Sequence, residues 1–125
     1  DEKCVHTVPE IDVELRQLLV KLADELDIPH SDGGVYSHFT GPRFETKAES
    51  RWLSTIADVA GMTTGGEIPL ANELQIPYAF ACMVDNYANG ITKSLSIPEM
   101  EGHLARNLKY LESFINKLIT TFKRT

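Results

Sequence analysis

Residues 77–84 (Pro-Tyr-Ala-Phe-Ala-Cys-Met-Val) constrain this chain more than any other segment. An unbroken apolar run of that length, opened by a proline and closed by Asp85, suits a strand covered on both faces. Such strands belong to parallel sheets flanked by helices. The rest of the chain has the alternation such a sheet needs. Residues 12–26 bring Val13, Leu18, Leu19, Leu22, Ala23 and Leu26 near one helical face, with Asp12 as N-cap. Pro29 and the Ser31-Asp32-Gly33-Gly34 turn stop that helix. Residues 35–40 read as a strand, broken by Gly41-Pro42. Residues 45–59 return to a helical period through Ala48, Trp52, Leu53, Ile56 and Ala57. Residues 60–63 suit a short buried strand, and 67–74 a short helix after Gly65-Gly66. Residues 85–96 are polar and loop-like, and Pro98 opens a long helix carrying Leu104, Leu108, Leu111, Ile115, Leu118 and Ile119.

The order α-β-α-β-α-β-α predicts an α/β fold with a mostly parallel sheet flanked by helices. Three strands are few for that class, so residues 1–125 read as one domain that is part of a larger sheet. Composition agrees, because 42% hydrophobic and 24% charged residues fit a packed core rather than a disordered chain. The net charge of −6 argues against a nucleic-acid binder, which carries a basic face. No apolar run reaches the roughly 18 residues of a membrane span. Cys4 and Cys82 lie far apart and read as reduced thiols, and the first residues carry no signal-peptide pattern; the expected location is cytoplasmic.

In open α/β sheets, ligands bind beyond the carboxyl ends of the strands. That rule selects residues 41–45, 62–67 and 85–87, which should share one rim. Together they offer the Phe44 ring, the Glu45 carboxylate, the Met62 thioether, the Thr63 and Thr64 hydroxyls and the Asn86 carboxamide. That set suits a flat heterocycle with polar edges: Phe44 to stack, Glu45 to accept from a ring N–H, and Asn86 to donate and accept. Each residue also has a plainer reading. Glu45 can complement a helix dipole, Phe44 can be a hydrophobic staple, and Met62 can fill the core. Thr63 and Thr64 can cap the following helix, and Asn86 can be a turn residue. His6, His30, His38 and His103 lack ligand spacing with Cys or acidic residues, so no metal site is expected. No nucleophile elbow, Walker loop or dinucleotide glycine fingerprint is present.

Three motifs then point to a family. Gly41-Pro42-Arg43-Phe44-Glu45-Thr46-Lys47-Ala48-Glu49 resembles the Gly-Pro-x-Phe-Glu-Thr-x-Ala-Glu motif of trimeric purine nucleoside phosphorylases, which methylthioadenosine phosphorylases share in a close variant. Gly61-Met62-Thr63-Thr64-x-x-Glu67 is similar to the family's Gly-Met-Ser/Thr-Thr-Val-Pro-Glu. Residues 78–87 are similar to the family strand that ends in Thr-Asn or Thr-Asp. The resemblance covers nearly the whole chain, but only the C-terminal half of the family fold. It implies phosphorolysis of a purine nucleoside, with inorganic phosphate as co-substrate and no metal or organic cofactor. Phe44, Glu45, Asp85 and Asn86 would then contact the base, with Asn86 catalytic at N7. Met62 would pack under the ribose and Thr63 would help bind phosphate. Ile97 and Met100 would line a 5′-substituent pocket.

A carboxylate at Glu45 suits the N1–H of a 6-oxopurine, so inosine, guanosine or methylthioinosine is expected ahead of methylthioadenosine. The family also implies a homotrimer or higher oligomer of the complete protein, and a second chain is a possible carrier of the N-terminal half. The alternative is a non-catalytic nucleoside-binding or assembly module. Two departures stand out. Gly65-Gly66 replace the family's Val-Pro, and Asp85 replaces its Thr, which adds negative charge near the base. The family's N-terminal half, with its glycine-rich phosphate loop and basic phosphate ligand, has no counterpart in these residues.

Overall fold

The computed structural model describes residues 6–123; Cys4 lies outside them. The elements are α1 (Val13–Glu25), β1 (Tyr36–His38), α2 (Lys47–Leu53), β2 (Val59–Gly61), α3 (Glu67–Glu73) and α4 (Ile97–Phe122). Asp12 caps α1 as expected, its Oδ1 accepting from the Leu15 N–H at 2.8 Å. The helix closes through Ile28 N–H to Ala23 O, with Asp27 in the left-handed region at φ 51°. Aspartate visits that region more readily than most residues, so the chain turns before Pro29.

β1 and β2 form a parallel pair in the register Tyr36↔Val59, Ser37↔Ala60 and His38↔Gly61. α2 joins them, giving one βαβ unit. The helix is shorter than its apolar period predicts. The Ser54 hydroxyl donates to Arg51 O at 2.9 Å, and the Thr55 hydroxyl to Trp52 O at 2.7 Å. Hydroxyls that take backbone carbonyls offer the chain an alternative to the helix. Asp58 then commits the chain to the sheet: its N–H donates to Val35 O, and its carboxylate accepts from Val35 N–H at 2.8 Å.

The largest correction falls on residues 77–84. They are not a strand, and among the described residues the sheet has two strands rather than three. Tyr78 O accepts from Asp12 N–H at 2.8 Å, and the Phe80 ring meets Tyr36 edge-on at 5.2 Å, which sets the segment beside β1. Yet Ala81, Cys82 and Val84 are exposed, Val84 at 63%. An apolar run records a demand for cover; a strand also needs a neighbouring ladder, and no described residues supply one. The α/β class nevertheless holds, with parallel strands and helices alternating along the chain.

Few side chains are deeply covered. Leu22, Ala23 and Leu53 are the buried apolar residues among those described. α4 packs on α1, where Lys117 Nζ reaches Glu25 Oε2 at 2.8 Å. Leu104, Leu108, Ile115 and Ile119 of α4, and Trp52 of α2, remain exposed. Much of the apolar face that the helical periods define has no cover among the described residues.

Candidate functional site

The segment after β1 is built around Thr46. Its hydroxyl accepts from Glu49 N–H at 3.3 Å, and Glu49 Oε2 accepts from Thr46 N–H at 2.7 Å, a capping box. Arg43 grips the same carboxylate with two bonds of 2.9 and 2.8 Å and lies over the Phe39 ring. The Arg43 guanidinium first, and the Thr46 N–H second, hold the Glu49 carboxyl down from 4.5 to about 2. A carboxyl lowered by folding stabilises the folded state above its unfolded pKa, and that contribution is lost as pH falls through the folded value. Acidification from pH 5 toward pH 2 is therefore expected to loosen residues 43–49, seen as rising amide exchange there. Glu49→Gln should flatten that dependence; an unchanged exchange profile in the wild type would refute the role.

Thr46 as N-cap places its two preceding neighbours outside α2. Glu45 precedes the cap, and the acidic residue in the first helical turn is Glu49. Phe44 is one position too early for a staple, which uses the residue just before the cap. Phe44 is partly exposed, whereas Glu45 is only 7% exposed. Its main-chain O accepts from Asn89 Nδ2 at 3.1 Å, and Asn89 Oδ1 accepts from Leu95 N–H. No described residue donates a hydrogen bond to the Glu45 carboxylate, so both oxygens are available as acceptors.

The segment after β2 touches the first. A Cβ on Gly41 would lie 3.2 Å from the Met62 sulfur, so the half-buried Met62 sits against this loop rather than in a deep core. Thr63 is exposed, and its N–H donates to Tyr36 Oη at 3.4 Å. Gly61 makes that possible, because a Cβ there would fall 2.3 Å from the same oxygen. Neither threonine hydroxyl caps α3, whose N-cap is Gly66 without a side-chain bond. Thr64 contributes its carbonyl instead, accepting from Glu67 and Ile68 N–H. Its hydroxyl is buried without a partner among the described residues, so Thr64 joins Thr63 as a candidate. Gly65 lies close against His38, where a Cβ would overlap the ring at 2.2 Å. Tyr78 Oη donates to Glu67 Oε2; burial first, and the Glu67 carboxylate second, push the Tyr78 phenol up to about 12.

The loop just beyond the third segment meets the first through the Asn89–Glu45 bond, and Gly90 lies against the Lys47 side chain. Asn86 is half-buried, and its Nδ2 donates to Tyr87 O at 2.9 Å. That is the bond of a turn residue, yet it orients the amide and leaves its second N–H for a ligand. Asp85, expected beside the base, engages α4: its Oδ1 accepts from Asn107 Nδ2 at 2.9 Å and its carbonyl from His103 Nδ1. Ile97 is exposed and Met100 half-buried in the first turn of α4. The segments after β1 and β2 thus adjoin, and the loop that follows residues 85–87 reaches the first of them through Asn89 and Gly90, although no described strand leads into it. Sequence reasoning missed Tyr36, Asn89, His103 and Asn107. Only the last pair left a trace, as polar residues four apart on one helix.

No group of His, Cys, Asp and Glu among the described residues could hold a metal ion, and no helix among them is long and apolar enough to cross a membrane. An open groove lined by His6, Thr7, Glu10, Asn72 and Gln75 shares no residue with the three segments.

With this geometry in hand, the relatives are informative. The model of the phosphorylase superfamily matches residues 2–120. A probable 6-oxopurine nucleoside phosphorylase from Archaeoglobus fulgidus is 39% identical over 124 residues, covering 94% of this chain and 51% of its own. A probable S-methyl-5′-thioinosine phosphorylase from Methanopyrus kandleri is 46% identical over 98 residues, 73% of this chain and 37% of its own. An S-methyl-5′-thioadenosine phosphorylase from Pyrococcus abyssi is 35% identical over 106 residues, 85% of this chain and 41% of its own. Among solved structures, a mutant adenosine/methylthioadenosine phosphorylase from Schistosoma mansoni in complex with adenine matches with a TM-score of 0.79 at 16% identity. It covers 100% of this chain and 53% of its own, and at that identity it speaks for the fold. The chain spans about half the length of the curated relatives it matches.

Proposed function

The chain belongs to the phosphorylase superfamily, and on that premise we propose that it carries the base-recognition half of a purine nucleoside phosphorylase site. The reaction is phosphorolysis of a 6-oxopurine nucleoside to the free base and a pentose 1-phosphate. Inorganic phosphate is the co-substrate, and no metal or organic cofactor is used. The observation that carries this reading is Glu45, a largely covered residue in the loop after β1 whose carboxylate keeps contact with solvent and takes no hydrogen bond from the protein's own described groups. A carboxylate whose lone pairs meet no donor of the protein is free to accept one from a ligand. The N1–H of hypoxanthine or guanine is such a donor; adenine presents a lone pair at N1 instead. The named 6-oxopurine and methylthioinosine relatives support the same choice.

The roles follow from position. Phe44 supplies an exposed ring face for the purine. Met62 packs under the ribose, and the Thr63 and Thr64 hydroxyls meet the phosphate. Ile97 and Met100 face the 5′ substituent. As the C1′–N9 bond breaks, its electron pair moves into the purine and a phosphate oxygen bonds to C1′. The free N–H of Asn86 donates to N7, where charge builds, so the bond strengthens toward the transition state. Asp85 completes the base side through its neighbour rather than through its own carboxylate, which Asn107 occupies. The phosphate's cationic partner comes from the other half of the family fold, and the complete protein assembles as a homotrimer or higher oligomer.

The test is a phosphorylase assay on this chain joined to, or mixed with, that other half. Hypoxanthine release from inosine or methylthioinosine that requires phosphate is expected. Release without phosphate dependence, or a preference for methylthioadenosine, would count against the reading.

A further inference from the structure

We infer that His103 and Asn107 of α4 are positioning residues that hold Asn86 in place by clamping Asp85 from its main chain and its side chain together. The inference rests on the phosphorolysis reading of Asn86. The two residues lie four apart, so they share a face of α4, and Met100 lies one turn earlier on the same stripe. His103 Nδ1 donates to the Asp85 carbonyl, and Asn107 Nδ2 donates to Asp85 Oδ1 at 2.9 Å. The Asp85 carbonyl belongs to the same planar peptide unit as the Asn86 nitrogen. A hydrogen bond to that oxygen therefore fixes the plane from which the Asn86 side chain departs. The bond to the carboxylate blocks rotation about the residue before it, and Asn86 Nδ2 to Tyr87 O sets the amide from the other side. Three bonds thus converge on two residues at the end of a segment that has no strand partner among those described.

The clamp also explains a departure from the family motif. A carboxylate at position 85 would repel the developing charge of a leaving purine if it were free to turn inward. Asn107 is half-buried and directs that carboxylate to α4 instead. Asp85 and Asn107 thus act as a pair, and the negative charge is kept on the helix side.

The experiment uses the completed enzyme and two nucleosides, inosine and 7-methylinosine. In 7-methylinosine the ring already carries positive charge, so the base departs neutral and takes no help at N7. Asn107→Leu keeps the side-chain volume and removes the donor. It is expected to lower kcat for inosine by about 10-fold, since small misplacement of a catalytic group is amplified in the rate, while kcat for 7-methylinosine stays within about two-fold. The KM for phosphate should not move, and Asn107→His, which keeps a donor at the same reach, should recover most of the loss. Equal losses on both nucleosides would show a merely structural residue and overturn the clamp, as would an unchanged kcat for inosine. Phosphorolysis of neither nucleoside by the unsubstituted enzyme would overturn the functional reading itself.

Discussion

Glu45→Ala is expected to lower kcat/KM for inosine by about 100-fold, in line with the 1.5–3 kcal/mol typical of a hydrogen bond to a charged group. The same substitution should change kcat/KM for adenosine by no more than about three-fold, because that base offers no N1–H. The preference for the 6-oxopurine would then nearly vanish. Stability should not follow. The Glu45 carboxylate takes no hydrogen bond from the described residues, and its oxygens are not among their buried unpartnered atoms. Removing it should leave the melting temperature within a few degrees, because a substitution that breaks no internal partner usually changes stability little. Glu45→Gln should fall between the two, since its amide can accept at one atom but must present donors at the other. Parallel losses for inosine and adenosine, or a clear fall in melting temperature, would mean that Glu45 holds the loop rather than the base.

Glu45 also shows how far the sequence carried. The α/β alternation and the Asp12 cap were legible because periodicity and capping are local, one-dimensional signals. The start of α2 was not. The apolar period allows a helix from Glu45, whereas the Thr46-x-x-Glu49 capping box starts it after Thr46. That pattern was readable in principle. The clamp on Asp85 was not, since it joins residues 18 and 22 positions apart across a loop. Nor was the close fit of His38 over Gly65, which exists only in three dimensions.

The strand expected over 77–84 failed for a different reason, and the reason has a consequence for the protein in solution. Apolar composition there is real, but pairing depends on a neighbour, and among the described residues β1 and β2 pair only with each other. Each therefore presents one open edge, next to an extended segment whose ladder groups face no described strand. Trp52, Val84, Leu108 and Ile119 are exposed on the same chain in which Leu22, Ala23 and Leu53 are the described apolar core. Monomeric proteins rarely leave so much apolar surface or so many open edges in water. Prepared alone, these 125 residues are expected to self-associate at micromolar concentration and to melt over a broad range. Adding the other half of the family fold should yield a defined complex. A partner held at about 1,000 times its Kd adds about 4 kcal/mol, enough to raise the melting temperature by about 10 °C or more in a domain this small. Light scattering and calorimetry with and without the partner make the comparison. A monodisperse monomer with a sharp transition that the partner leaves unmoved would show that the exposed face needs no cover, and with it the two-half site would lose its physical basis.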